Sequence, residues 1–305
     1  MRKLLYLIGW ILLCFPCDAQ ENNYVQIPAG NYQLGDTVSL DNPKRTVYIE
    51  SFWISKYELT NADFEKFVQA TGYKTLAERY HNAMVFEPGL EEFRWLQDST
   101  AYWRFPNGIS RGGIEAKMHH PVTCISFRDV LAYCVWAECR LPSFDEWEVA
   151  ARAGSEGYYF DGVDKDNIGD YANIWHGRDH LKADVSDGYL YTAPVGKFKP
   201  NPWGLYDIFG NVFEFCAGKL KRDGDRSLAH ARGGSWWCSK NSCAAFNTVY
   251  IGSVSPNASF SNLGFRTVKN FHDSFGSTTG MKVLDGLLKT DTFRKKAFIP
   301  SDKDF

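Results

Sequence analysis

Three stretches of the chain space their apolar positions three and four residues apart, and each begins with a helix start signal. In the first, Thr60-Asn61-Ala62-Asp63 forms a capping pattern ahead of Phe64, Phe67 and Val68, which share one face before Gly72 ends the run. The second opens at Ser126-Phe127-Arg128-Asp129 and stops before Pro142, with Val130 and Cys134 on one face. Cys134 is therefore expected as a buried apolar thiol. The third opens at Ser143-Phe144-Asp145-Glu146 and ends near Gly154. Strand patterns are shorter: residues 24–36 read as two strands around a turn at Ala29-Gly30, and residues 46–54 as another.

Two long stretches lack a period. Residues 73–120 mix Gly, aromatic and charged residues and read mainly as ordered loop, and residues 154–230 are rich in Gly, Asn, Asp and Tyr with short strand-like runs such as TAPVGKF. The pattern predicts an α+β domain, loop-rich with little regular secondary structure. No repeat or low-complexity tract interrupts it before Lys269. Residues 270–305 turn Ser-, Thr-, Lys- and Asp-rich and read as a C-terminal extension, with a short helix expected at 283–288.

The amino end changes the setting. A basic head, Met1-Arg2-Lys3, precedes an apolar run over residues 4–15 and the small residue Ala19, so residues 1–19 read as a secretory signal peptide. The product is expected to be exported, periplasmic or extracellular. The apolar run falls short of the roughly 20 residues a membrane span needs. Cys14 and Cys17 leave lipid anchoring as the alternative, although neither follows a small residue. With 34 Lys and Arg against 36 Asp and Glu, the formal net charge of -2 argues against a nucleic-acid partner.

Six cysteines follow the leader: Cys124, Cys134, Cys139, Cys216, Cys238 and Cys243. In an exported protein the ordinary reading is three disulfides, yet a chain of this size buries an adequate core without them. The segment GGSWWCSKNSC, ending at Cys243, sharpens the question. A bridge across so short a loop stabilises by only about 2 kcal/mol in the chain-entropy model. Zinc would need two further Cys or His ligands, and no HxxxH helix supplies them, so zinc is not expected. Two thiolates suit a soft ion of low coordination number, above all Cu(I), with a position left open for a sulfur brought by a substrate. A thiol–disulfide exchanger would place C-x-x-C at a helix start. On spacing alone, an inert bridge and a redox-active pair both remain open.

The residues around this pair resemble the formylglycine-generating enzyme, or sulfatase-modifying factor, family. The likeness runs from IPAGNYQLGD and YELTNADFEKFVQATGY through TLAERYHNAMVFE, YWRFPNG and HPVTCISFRDVLAYCVWAECRLPSFDEWEVAARAG. It continues through YANIWHG, TAPVGKFKPNPWGLYDIFGNVFEF, RGGSWWCSKNSC and SNLGFR. Pieces such as GLYDIFGN speak for the fold only; the cysteine pair within GGSxxCxxxxC is the specific part. The resemblance implies a variant of the C-type-lectin-like fold over residues 20–269, acting as a monomer. It also implies an oxidase that uses copper and O2 to convert a cysteine, in a Cys-x-Pro-x-Arg stretch of an unfolded or nascent sulfatase, into formylglycine.

Carried over to this chain, Cys238 and Cys243 would hold Cu(I), with the substrate thiol as third sulfur, and Ser235 would support the reacting centre. Trp236, Trp237 and Phe213 would line a groove for the peptide, with at least one Trp expected to pack into the core instead. Calcium would bind Asn173 and Asp187 with the carbonyls of Ile174 and Tyr189. A second calcium would take Asp207, Asn211 and Glu214 with the carbonyls of Gly210 and Val212. Several residues depart from the family pattern: Phe213 and Phe215 replace Trp, Cys216 adds a thiol, and Ile251 stands where the enzymes carry Arg. Thr248 and Thr267 occupy positions of bridging cysteines. These departures keep a second reading in view: a non-catalytic, calcium-stabilised binding or scaffold protein in which Cys238 and Cys243 form an inert disulfide.

Overall fold

The computed structural model describes residues 23–269 apart from 224, 225, 242 and 244; the leader with Cys14 and Cys17, and the extension from residue 270, lie outside them. Its first half contains β1 (Tyr24–Ile27), β2 (Gly30–Leu34), β3 (Arg45–Ile49), β4 (Phe52–Ser55), α1 (Asn61–Thr71), α2 (Leu76–Tyr80), β5 (Ala83–Val85), β6 (Leu96–Asp98), α3 (Phe127–Trp136) and α4 (Phe144–Arg152). The second half is built of strands, β7 (Phe213–Asp223), β8 (Arg226–Arg232), β9 (Gly252–Val254), β10 (Leu263–Gly264) and β11 (Val268–Lys269).

The three long helices start where their caps predict. Thr60 accepts from the Asp63 amide, and both Ser126–Asp129 and Ser143–Glu146 form reciprocal capping boxes. Each such cap stabilises its helix by about 1 kcal/mol. Gly72, at φ 67, ends α1 with its N–H on the Val68 carbonyl. The strands are less regular than their patterns. The single strand expected at 46–54 is two, because the chain turns out of β3 at Glu50-Ser51 before entering β4. Residues 73–120 contain α2 and the β5–β6 pair, and TAPVGKF is not a strand. The long β7–β8 hairpin escaped the pattern because GKLKRD interrupts its alternation.

Four small sheets result. In one, β4 is central, with β1 and β11 antiparallel on its two edges. In another the order is β10-β7-β8-β9, β10 running parallel to β7. β2 pairs with β3, and β5 with β6. One core lies between α1 and α3, where Phe64 stacks on Tyr133 and Cys134 is fully buried as expected. A second core, rich in aromatic rings, gathers Phe86, Trp147, Phe160, Trp175, Phe209 and Phe246 around residues 236–238. No helix among the described residues is long and apolar enough to cross a membrane.

Candidate metal and active site

Residues 233–241 form a turn-rich loop on the second core. Gly233 and Gly234 sit at φ 92 and 76, where a side chain is strained. A β-carbon on Gly234 would also lie 2.8 Å from the Phe246 amide nitrogen. The loop is stitched to two neighbouring segments through its backbone. Trp236 N donates to the Asn211 carbonyl, Trp175 N donates to that of Cys238, and Gly210 N to that of Gly233, each at 2.9 Å. His180 anchors it further: its ring lies between Trp175 and Trp237, centroids 4.9 and 4.2 Å away, with Nε2 2.7 Å from the Trp237 carbonyl. The other ring nitrogen faces the Glu92 carboxylate at 3.4 Å.

At the end of this loop the sulfurs of Cys238 and Cys243 are 2.7 Å apart, and both cysteines are free. Cys238 is fully buried while Cys243 is half-buried. Burial, and then its bond to Cys243, push the Cys238 thiol well up; the bond from Cys238 holds Cys243 below the usual thiol range. Those directions put the first ionisation at Cys243, the half-buried sulfur. Ser235 is buried beside them, its Oγ 4.0 Å from the Cys238 sulfur. Asn262 Nδ2 donates to that Oγ at 2.9 Å and fixes it. Tyr250 flanks the pair with its phenol pushed up, by burial and then by the two sulfurs. The six described cysteines are all free, so the three-disulfide expectation does not hold.

The donor set fits a soft monovalent ion. Two sulfurs converge, and no third His, Cys, Asp or Glu among the described residues joins them as a ligand. The aromatic groove is corrected. Trp236 and Trp237 are 1% and 2% exposed, packed against Phe86 and Trp95, and offer no wall to a peptide. Only Phe213 of the three reaches the surface, beside Tyr250.

The expected hard-ion residues meet directly beneath this loop. Asn173 Nδ2 donates to the Tyr191 carbonyl and to Asn211 Oδ1, tying the loop at 187–191 to both. Asp187 Oδ1 accepts from the Tyr189 amide, while its buried Oδ2 has no hydrogen-bond partner and faces His176 at 3.4 Å. That open oxygen fits the first calcium set. In the second set, Asp207 Oδ2 accepts from the Gly196 amide and its buried Oδ1 is likewise unpartnered. Glu214, however, accepts two bonds from Arg266 and one from Trp147, and Asn211 Oδ1 accepts from Asn173 and Ala193. Glu214 retains one of its roughly four lone-pair sites.

The sequence reading missed Glu58. It accepts from the Val212 amide and from Asn211, and burial, then Asp207 and Glu214, push its carboxyl well up. Glu58, Asp207 and Glu214 thus face a single buried guanidinium, Arg266, with none of the four more than 2% exposed. With Glu58 and Asp207 ionised as well as Glu214, the cluster would carry two negative charges beyond Arg266, which a bound divalent cation would neutralise.

Compared with known proteins, residues 15–271 match the Sulfatase-modifying factor enzyme 1-like domain. The chain is 36% identical over 276 residues to the mouse formylglycine-generating enzyme, covering 79% of this chain and 73% of that one. It is also 34% identical over 270 residues to the bovine inactive C-alpha-formylglycine-generating enzyme 2, covering 82% and 88%. Among solved structures, PvdO from Pseudomonas aeruginosa superposes with a TM-score of 0.61 at 25% identity, covering 81% of this chain and 94% of that one.

Proposed function

This chain belongs to the sulfatase-modifying factor family, and from that premise we propose that it oxidises a cysteine in a Cys-x-Pro-x-Arg stretch of an unfolded sulfatase to formylglycine, activating the sulfatase. The carrying observation is the free dithiol of Cys238 and Cys243, one sulfur sealed in the core and the other half-buried. Cys238 and Cys243 would hold copper. When bound, copper supplies the activation of O2 needed to remove a β-hydrogen from the substrate cysteine.

The chain's own residues set the stage for that chemistry. Cys243, the more acidic thiol, gives up its proton first and provides a thiolate at the exposed end of the pair. Ser235, held by Asn262, presents a fixed hydroxyl 4.0 Å from the Cys238 sulfur. The Trp175–His180–Trp237 stack excludes water from the inner side and fixes the carbonyl one residue before Cys238. Calcium at Asn173 and Asp187, and at Asp207, would rigidify the segments on which the thiol loop rests. The leader read in residues 1–19 supports a reaction outside the cytoplasm.

The test loads reduced protein with Cu(I), adds a Cys-x-Pro-x-Arg peptide in air and follows aldehyde formation by mass spectrometry. Cys238→Ser and Cys243→Ser are each expected to abolish it. The alternative, a calcium-stabilised binding protein, is favoured by Ile251, by Phe213 and Phe215 and by the similarity to a relative named inactive. Folded, copper-loaded protein that forms no aldehyde supports that alternative and overturns the oxidase.

A further inference from the structure

A second cysteine pair, Cys134 and Cys139, has the same four-residue separation as the first and the same asymmetry, one sulfur fully buried and its partner half-buried. It lies in the other core, at the carboxyl end of α3. The backbone there closes as a Schellman turn. Ala137 caps the helix, Glu138 takes the left-handed conformation at φ 51, and the Cys139 N–H donates back to the Cys134 carbonyl at 3.0 Å. That turn brings together the side chains at the third-last helical position and at the second residue past the cap, here the two cysteines. An apolar contact is the ordinary occupant of this place. In this chain both positions of the turn carry free thiols.

We propose that Cys134 and Cys139 are a redox modification site, closing to a disulfide that clasps the end of α3. The step is thiol–disulfide exchange with a small-molecule or protein disulfide. Cys139, the more accessible sulfur, loses its proton and attacks one sulfur of the donor, whose other sulfur leaves as a thiolate. Cys134 then loses its proton and displaces the remaining donor thiolate, forming the Cys134–Cys139 bond. Two protein thiols become one disulfide, and one donor disulfide becomes two thiols.

The surroundings favour that product over a bound metal. A thiolate on Cys134 would sit in an apolar core formed with Phe64, Phe67 and Leu141, next to the partial negative charge of the helix end; a disulfide carries no charge. The clasp also has something to hold. Immediately after Cys139, Arg140 exchanges two backbone hydrogen bonds with Val268, the strand that closes the first sheet.

Trypsin releases residues 129–140 as a peptide containing Cys134 and Cys139 and no other cysteine. Reduced full-length protein is incubated with oxidised glutathione, quenched with iodoacetamide and mapped by mass spectrometry. The expected peptide is unalkylated and lighter by two hydrogen atoms, shifting to a doubly alkylated form only after reduction. In Cys134→Ala, Cys139 is expected to accumulate as the glutathione mixed disulfide that the parent resolves. Two alkylated cysteines in the parent, or a parent that stops at the mixed disulfide, overturns the proposal. The parent measurement decides even if the variant fails to fold.

Discussion

Asp207 allows the buried charge cluster to be tested without reference to catalysis. Its carboxyl is raised from 3.8 to about 7, by burial first, and it is 2% exposed. A carboxyl whose folded pKa exceeds the unfolded one contributes stability that is fully present below about pH 4 and is lost as pH rises through about 7. Three pKa units at 1.36 kcal/mol each make the whole loss roughly 4 kcal/mol, of which roughly 3 kcal/mol falls between pH 5 and pH 8, on the order of 10 °C in melting temperature for a domain of this size. In chelator, melting of the wild type is expected to fall between pH 5 and pH 8, and calcium should restore most of it at pH 8, where both ionised carboxylates and the ion are present. Asp207→Asn removes the charge while keeping an oxygen for the Gly196 amide. Its melting temperature in chelator should exceed that of the wild type at pH 8, vary less with pH and respond less to calcium. A wild type whose melting is flat from pH 5 to pH 8 in chelator, and unmoved by calcium, would refute both the charge count and the cation it calls for.

Three further outcomes follow from contacts already described. Gly210→Ala puts a β-carbon 2.3 Å from the Asn173 carbonyl at a residue with φ 73, and is expected to cost at least about 2 kcal/mol in urea denaturation. Gly72→Ala, at φ 67 with nothing within 4 Å, should cost about 1 kcal/mol or less and serves as the control. His180→Ala empties the slot between Trp175 and Trp237; competition with a Cu(I) chelator should report at least tenfold weaker binding, and unchanged competition would remove His180 from the support of the thiol loop. Arg266→Met strands Glu58, Asp207 and Glu214, with an expected loss of about 3–5 kcal/mol that is larger at pH 8 than at pH 5.

Local signals were legible where they act locally. Thr60, Ser126 and Ser143 begin their helices because a capping side chain needs only the next three residues. Cys134 is buried because its face of α3 is apolar. What the residues alone could not convey depends on long-range partners. The burial of Trp236 and Trp237 is decided by Phe86, Trp95 and His180, far away in the chain. Glu58 follows a strand with nothing around it to mark it as special, and becomes part of a charge cluster only through Asn211 and Val212. The β7–β8 hairpin is held by β9 and β10 on either side, which local alternation does not report.

The position of Arg266 in the chain sets an order of events during synthesis. Glu58, Asp207 and Glu214 all emerge from the ribosome before the guanidinium that compensates them. The same late segment supplies β11 to the sheet that β1 and β4 began more than 200 residues earlier. A nascent chain lacking residues 263–269 therefore has an open strand edge and three acidic side chains without their counter-charge, so it gains little by burying them. Closure of that cluster and of that sheet is thus left until nearly the whole domain is available, which favours concerted closure over stepwise assembly from its amino end.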